Sequence, residues 1–550
     1  MIVKDRPALP LDVCADAREE VELLSRSSTY GERTGCVERL ETHISWLFLT
    51  KRRVYKLKKP VRFDFLDYGT VQRRKRACEA EVQLNRRLAP QTYLGMMPLV
   101  RSPRGRLQLG GPGTPLDWVV VMRRLDAGQS LDALIRSGRV TRQQVDQLAT
   151  RLSDFYRQLP PLTIRAQEYR QRIEEHVRAN LQSLLEAAGE LDAGAVNRVH
   201  SGRAAGVSPS GVLDVGAVNR VHAGQLRVLT LTPDWLEDRA CDGRVVEGHG
   251  DLRPDHIYFQ PGPIVIDCVE FNAEFRQLDV LDELSFLAME CDIRQAGWIG
   301  RHILERYGQT NGDHPPEGLL SFYKCYRATV HAKVAALRAE QHPTDPAADW
   351  SLARQYLQRA DAYAASLGPP LLVMMRGLAG CGKSSVATAL SDRLGLECLQ
   401  TDAIRRELFP VPQREAAAIA VYRDDNRGKV YQELLRRAER LMDQRFSLVL
   451  DGTFGSTRWL TAAMAAGISR HFATLVVDCR CPDEVALKRI ADRLRTGAAI
   501  SEATSDVYRR QQREFEPLPA GLPVCPLNTA RSVPELLAVV YRHLRGMLTA

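Results

Sequence analysis

Residues 371 to 386 read LLVMMRGLAGCGKSSV, and no other stretch restricts the fold as much. Gly377, Gly382, Lys383 and Ser384 fill the spacing G-x-x-x-x-G-K-[ST], with a further glycine at 380. An apolar run precedes the loop and the helix-compatible VATALSDRL follows it. Such a loop requires a strand to feed it and a helix to receive it. Its amides, from Gly377, Leu378, Ala379, Gly380, Cys381, Gly382, Lys383, Ser384 and Ser385, can then close around a polyphosphate. Lys383 is placed for the outer phosphates and the Ser384 hydroxyl for Mg²⁺, while the helix N-terminus favours the anion. ATP and Mg²⁺ are therefore the expected cofactors.

Further apolar runs end near 400, at 447–451 (SLVLD) and at 474–478 (TLVVD), with helical patterns between them. Strands alternating with helices predict an α/β three-layer P-loop NTPase domain with a mostly parallel sheet. The Pro- and Asp-rich stretch 341–349 places the domain junction between residue 342 and Pro370.

The loop begins only at residue 377 of 550, so other domains must precede it. Apolar residues make up 44% and charged residues 26%, which are ordinary globular values. Only 11 of the 76 basic residues are lysines, so the surface is arginine-rich, which suits phosphate-bearing ligands. The net charge of +9 is modest for this length. The twelve cysteines never take a C-x-x-C spacing and read as reduced thiols. Cys479-Arg480-Cys481 ends an apolar run and reads as a strand end in preference to a metal site. The N-terminal MIVKDRPALPLDV carries charges where a signal peptide needs an apolar core, and no 18-residue apolar run occurs. The expectation is a cytoplasmic chain with no membrane partner; its oligomeric state is unknown.

Towards the N-terminus, residues 17–28 read as a short amphipathic helix, and SWLFL and RVYKL as a hairpin joined by Thr50-Lys51-Arg52. A charged helical stretch spans 70–88, and five of the eleven lysines fall between 51 and 75. WVVVMRRL at 118–125 reads as a buried strand, and 128–189 as helical throughout. Leu191 to Gly202 recurs as Leu213 to Gly224, identical at ten of twelve positions. Two copies are too few for a solenoid, so the duplication reads as a tolerated surface insertion. In VEGHGDLRPDHIYFQPGPIVIDCVEF, residues 246–271, the turn HGDLRPDH leads through two short strands to Asp267. Asp251 and Asp267 thus sit at adjacent strand ends, where both can face one metal-bound phosphate.

These motifs resemble two known families. Residues 40–300 look like the aminoglycoside phosphotransferase family, and residues 371–545 like the small P-loop kinases that include polynucleotide kinase and zeta toxins. The fused order resembles the bifunctional aminoglycoside phosphotransferase/ATP-binding proteins. The resemblance implies an α+β protein-kinase-like bilobal domain over 1–345, with a small lobe to about 125 and a large lobe from about 126. A helical linker over 346–369 and the P-loop kinase domain over 370–550 would follow. In the first domain it implies Asp251 as the base toward a substrate hydroxyl, Asp267 as the main Mg²⁺ ligand and Met122 beside adenine. It also implies a lysine on the α- and β-phosphates, Lys56 paired with Glu81. Alternation does not separate Lys56 from Lys58, and Glu79 rivals Glu81. His256 stands where the family has its second metal-ligating Asn, and Thr42-His43-Ile44-Ser45 where it has a phosphate-covering turn. In the second domain it implies Asp402 as base and Arg405 on a phosphate, with Arg406 as a rival. Asp451 would contact Mg²⁺ through water, and Arg489 and Arg493, four apart, would be lid arginines.

The leading expectation is an ATP-dependent kinase with two Mg·ATP sites and a small-molecule hydroxyl as acceptor. One alternative makes only the P-loop half catalytic and the first domain a nucleotide-responsive regulator. Another, resting on D-x-x-R and the arginine-rich surface, is a nucleic-acid end kinase or binding factor.

Overall fold

The structure is a computed structural model that describes residues 17–31, 35–63, 66–189, 213–341, 346–409, 424–496 and 504–549. Its contacts divide the chain into two compact units that interleave along the sequence. The first is Met1–Ala166, Asp238–Arg327 and His342–Asp345; the second is Gln167–Glu237, Ala328–Gln341 and Pro346–Ala550. This division cuts across the linear boundaries expected at 345 and 370. Among the described residues no helix is long and apolar enough to cross a membrane.

The first unit opens with helix α1 (Arg18–Ser25) and strands β1 (Glu38–Glu41), β2 (Ser45–Leu49) and β3 (Arg53–Lys58). A two-residue ladder, β4 (Arg62–Phe63) and β5 (Leu66–Asp67), precedes α2 (Val71–Asn85). Strands β6 (Tyr93–Arg101), β7 (Leu107–Leu109) and β8 (Thr114–Arg123) complete an antiparallel six-stranded sheet in the order β1-β2-β3-β8-β6-β7. The period of two sends Trp46, Phe48, Tyr55, Leu57, Val119 and Val121 to one face against α1. Val54, Val120 and Met122 go to the other, against Cys78 and Val82 of α2. Lys56 and Lys58 share that second face, beneath α2, and both are buried.

Helices α3 (Leu131–Arg136) and α4 (Arg142–Gln158) follow, separated from each other and from the next helix by loops, so 128–189 is not helical throughout. Helices α5 (Ala166–Ala187), α6 (Val215–Leu231) and α7 (Asp234–Cys241) come next in sequence. The first unit then resumes with β9 (Val245–Glu247), β10 (Ile257–Phe259), β11 (Pro263–Val265), β12 (Gln277–Asp279), α8 (Val280–Ile293) and α9 (Gly297–Asn311). Leu148, Leu152, Val246, Ile257, Leu284, Leu287 and Ile299 form one core beneath the loop between β9 and β10. Helix α10 (Glu317–Gln341) ends this run.

The second unit is the P-loop domain. Its chain runs α11 (Pro346–Ala365), β13 (Leu371–Arg376), α12 (Lys383–Leu394), β14 (Glu397–Gln400), α13 (Thr401–Leu408), α14 (Asp424–Asp443), β15 (Leu448–Asp451) and α15 (Thr457–Ser469). Strand β16 (Ala473–Arg480), α16 (Asp483–Thr496), α17 (Ser505–Glu514), β17 (Val524–Asn528) and α18 (Val533–Thr549) complete it. All five strands are parallel, in the order β14-β15-β13-β16-β17. Both faces are covered: Leu371, Val373 and Met375 pack with Val386, Leu390 and Val540, while Leu372 and Met374 pack with Leu434, Leu460 and Met464. Burial on both faces is why these strands read as unbroken apolar runs. From β13 the chain leaves for β14 at one edge, and from β15 it passes across β13 to β16 on the other side, which opens a crevice at the strand C-termini where ligands of such sheets bind.

The second copy of the repeat is not a surface insertion. Residues 215–231 are helix α6, with Ala217, Val218, Val221, Leu226 and Leu229 at most 5% exposed. A Cβ on Gly224 would lie 3.2 Å from that of Ala364, and one on Gly395 would lie 3.0 Å from Cα of Ala223. Arg220 pairs with Asp361 at 2.6 Å, and Arg227 donates to the carbonyls of Gly368 and Pro369. Apolar residues at 215, 218, 221, 226 and 229 follow the helical period, and the stripe is buried in the second unit. The segment expected as a linker is α11, with Ala353, Leu357 and Ala360 buried. The first copy, 191–202, lies outside the described residues.

Candidate functional site

In the second unit, residues 377–382 turn between β13 and α12. Gly377 has φ 144° and Gly380 φ 77°. A Cβ at Gly377 would stand 2.4 Å from the Cys479 carbonyl oxygen, and at Gly380 2.6 Å from that of Ala486, so neither position admits a side chain. Lys383 is buried and folds back over the loop, its Nζ donating to the Leu378 carbonyl at 2.8 Å. Ser384 and Ser385 are exposed at the first turn of α12.

Asp451 ends β15 level with Met375 of β13 and Gln400 of β14, and it is buried. Burial pushes its carboxyl above the usual range, against the pull of the Lys383 ammonium and the Ser384 hydroxyl. Its backbone carbonyl accepts from Thr401 Oγ1 at 3.2 Å. Asp402 and Arg405 form a 2.5 Å ion pair on α13, whereas Arg406 is exposed. Arg489 of α16 donates through Nη2 to the Thr529 carbonyl at 2.8 Å. Its Nη1, beside Gly382, is buried and has no partner among the described residues. Arg493, a turn further along, is close enough to lower the Asp451 pKa. The loop, Asp451, Asp402 and the α16 arginines thus meet at the C-terminal ends of β13–β15. Ser384 and Asp451 offer hydroxyl and carboxylate oxygens, a donor set that fits Mg²⁺.

Sequence reasoning missed three supports of this loop. Gln511 Oε1 accepts from the Ala379 amide at 2.9 Å, Thr529 anchors Arg489, and buried Arg376 pairs with Asp478 at 3.0 Å and lies 4.0 Å over the Phe515 ring. Arg376 alone had a signal, a charge inside an apolar strand.

The first unit encloses a cavity of about 330 Å³ whose walls include Thr42, Lys56, Met122, Asp251, His256 and Asp267. Lys56 Nζ lies 2.8 Å from Glu81 and 2.9 Å from Asp267. Lys58 lies 2.6 Å from the other Glu81 oxygen and also pairs with Glu270, which accepts from Tyr68 at 2.6 Å. Both lysines therefore hold Glu81, while Glu79 is exposed beside Lys75. Lys56 faces the cavity; Lys58 is sealed beneath it. Burial lowers the pKa of both lysines, but the surrounding carboxylates outweigh it and hold both well above the ordinary range.

Asp267 follows β11 with φ 65°. Burial opposes its ionisation, yet Lys56 and His256 hold it well below the usual carboxylate range. His256 is buried, with Nδ1 2.9 Å from the Asp251 carbonyl and Nε2 3.5 Å from Asp267 Oδ2. Burial lowers its pKa to about 4, so the imidazole is neutral at pH 7. The oxygens of Asp267 and Asp251 fit a hard cation better than this ring nitrogen does. The Thr42 hydroxyl closes its own turn, accepting from the Ser45 amide at 2.9 Å. Glu283 of α8 was not legible in the sequence: it accepts from the His249 and Gly250 amides and from Tyr156 at 2.8 Å, and so fixes the loop that carries Asp251. Among the described residues no group of three or more His, Cys, Asp or Glu is arranged to hold a metal by itself.

A family model described as AAA domain, AAA_33, matches residues 372–518. With the loop and the parallel sheet, it makes this part of the chain a P-loop kinase-like domain. The chain is 31% identical over 488 residues to Uncharacterized protein Rv2004c of Mycobacterium tuberculosis (strain ATCC 25618 / H37Rv), spanning 85% of this chain and 88% of that protein. It is 25% identical over 148 residues to a cytidylate kinase of Methanothermobacter thermautotrophicus, 26% of this chain and 81% of that one. Among solved structures, a gluconokinase from Sinorhizobium meliloti 1021 aligns with 33% of this chain and 94% of its own, at 17% identity and a TM-score of 0.26.

Proposed function

This chain belongs to the family of Uncharacterized protein Rv2004c of Mycobacterium tuberculosis, and for it we propose ATP-dependent phosphotransfer to the hydroxyl of a small molecule, with one nucleotide site in each unit. The observation that carries the reading is the convergence of Lys383, Ser384, Asp451 and the Asp402–Arg405 pair at one end of a parallel sheet.

In the second unit the amides of residues 380–385 bind the β- and γ-phosphates, and Lys383 leaves the Leu378 carbonyl for them. Ser384, with Asp451 through water, would hold Mg²⁺, which supplies neutralisation of phosphate charge when bound. Asp402 accepts the proton of the acceptor hydroxyl, and Arg405 orients that carboxylate and meets the incoming phosphate. Arg489, whose Nη1 has no partner among the described residues, and Arg493 stabilise charge on the transferring group. In the first unit, Lys56 holds phosphate, Asp251 takes the acceptor proton and Asp267 would hold the metal, as the likeness to aminoglycoside phosphotransferases suggests.

A second reading is favoured by His256. A neutral imidazole between Asp251 and Asp267 leaves one good cation position, so the first unit would bind nucleotide and regulate without turning it over. ATP consumption by Lys383→Ala, Asp251→Ala and the double variant, in the full chain with a metabolite extract as acceptor source, separates the two. Separate partial losses support two kinases, and complete loss with Lys383→Ala alone supports the regulatory reading. Full turnover in the double variant would end both.

A further inference from the structure

In the Cys479-Arg480-Cys481 motif the first two residues end β16 in register with β17, whereas Cys481, just past the strand, is used by neither the sheet nor the phosphate chemistry described above. Cys481 Sγ lies 3.8 Å from Cys381 Sγ, a hundred residues away in sequence and inside the P-loop. Cys381 is buried and Cys481 is partly exposed. The surroundings leave the loop no slack. Its outer wall is the chain from Cys479 into α16, against which Gly377 and Gly380 already pack backbone to backbone. Ala379, Ala486, Ile490 and Tyr508 seal the contact, with Cys481 at its edge.

We propose that Cys381 and Cys481 are a redox pair whose disulfide closes the P-loop to nucleotide, a proposal that rests on reading residues 377–385 as the nucleotide site. A disulfide holds its sulfurs about 2.05 Å apart, so bonding nearly halves the present separation. Cys381 is drawn toward the wall, and its amide, which now donates to the Leu378 carbonyl at 3.3 Å, is held away from a phosphate. The same bond ties the loop to the base of the helix that carries Arg489 and Arg493.

The oxidant is a hydroperoxide. The more exposed Cys481, as thiolate, attacks a peroxide oxygen; the O–O bond breaks, the departing hydroxide takes a proton, and Cys481 becomes a sulfenic acid. The Cys381 sulfur then attacks Cys481 Sγ, the S–O bond breaks, and hydroxide leaves as water with the Cys381 proton. Two thiols lose two electrons and two protons while one hydrogen peroxide becomes two waters. Burial and the neighbouring thiol push Cys381 up to about 11 despite Lys383, which keeps it a thiol until Cys481 has been oxidised.

The test treats the full-length protein with hydrogen peroxide, blocks remaining thiols, and measures two things: peptide masses without reduction, and that part of the binding of a fluorescent ATP analogue which Lys383→Ala abolishes. A Cys381–Cys481 peptide is expected, with affinity lowered about ten-fold or more, the loss of one charged hydrogen bond. Dithiothreitol should restore it, and Cys481→Ser should bind normally and resist peroxide. No such peptide, pairing through Cys479 instead, or unchanged affinity in the cross-linked protein would overturn the proposal. Absence of Lys383-dependent binding in the reduced protein would overturn the nucleotide reading and the closure with it, while the peptide mass would still report the disulfide.

Discussion

The two sites hold their lysines in opposite ways. In the first unit Lys56 is matched by Glu81 and Asp267, and Lys58 by Glu81 and Glu270, so the buried positive charge is already neutralised. In the second unit Lys383 rests on a neutral carbonyl, and Arg489 Nη1 has no partner among the described residues. A phosphate arriving at the P-loop replaces a weak contact with a charged one. Arriving at Lys56, it must displace a carboxylate, giving up a charged hydrogen bond of about 1.5–3 kcal/mol. On the proposed reading the P-loop is thus built to take an anion, whereas the first unit would take one only when Asp267 finds another cation.

The largest effect that would break this contrast is on turnover. Lys383→Ala should lower the second unit's ATP consumption about a thousandfold or more, since it removes the ammonium that would offset the charge of the transferring phosphate. A loss below tenfold in a steady-state assay would mean that the open lysine is not the working one. Next comes stability. Lys58→Met leaves Glu81 and Glu270 facing each other without their sealed cation and should cost on the order of 3–5 kcal/mol. Lys56→Met, at the cavity wall, should cost less, and equal denaturation midpoints would contradict the distinction between a structural and a functional lysine.

A pH titration sharpens the comparison. His222 of α6 is buried with Nδ1 unpartnered among the described residues, and burial lowers its pKa to about 3. As pH falls below about 6.5 the unfolded chain binds a proton that the folded one does not. Stability therefore drops between pH 6.5 and about 3, by up to a few kcal/mol. His222→Leu should flatten that limb in urea melts at pH 7 and pH 4.5; an unchanged slope would place the acid sensitivity elsewhere. The smallest effect concerns Mg²⁺. Chelation should weaken nucleotide binding more at the first site, measured in Lys383→Ala, than at the P-loop, measured in Lys56→Met, and equal losses in calorimetry would remove the argument from Asp267.

What the sequence showed of all this follows from how local each signal is. The P-loop was legible to the residue because its function depends on backbone shape over eight positions, and the runs at 447–451 and 474–478 were legible because burial on both faces leaves no polar residue between ends. Lys56 and Lys58 could not be told apart for a physical reason: both sit on the α2 face and both bind Glu81. Glu79 and Glu81 lie two apart on a helix, and burial separates them. Glu283, Gln511 and Thr529 act through contacts with residues far along the chain, and nothing near them in sequence announces those partners. The second repeat copy did carry a helical apolar stripe, but its destination, against α11 and α12, is non-local.

That destination sets a timetable for synthesis. Residues 215–231 leave the ribosome well before α11, α12 and α18, the helices that bury them. At about 5–20 residues per second, roughly half a minute separates α6 from α18. Until α11, α12 and α18 have followed, the stripe of Ala217, Val218, Val221 and Leu229 lacks the helices that cover it in the folded unit. The same threading means that a gene cut before residue 371 delivers the P-loop sheet without α6 and α11, two helices that are packed into the second unit from earlier in the chain.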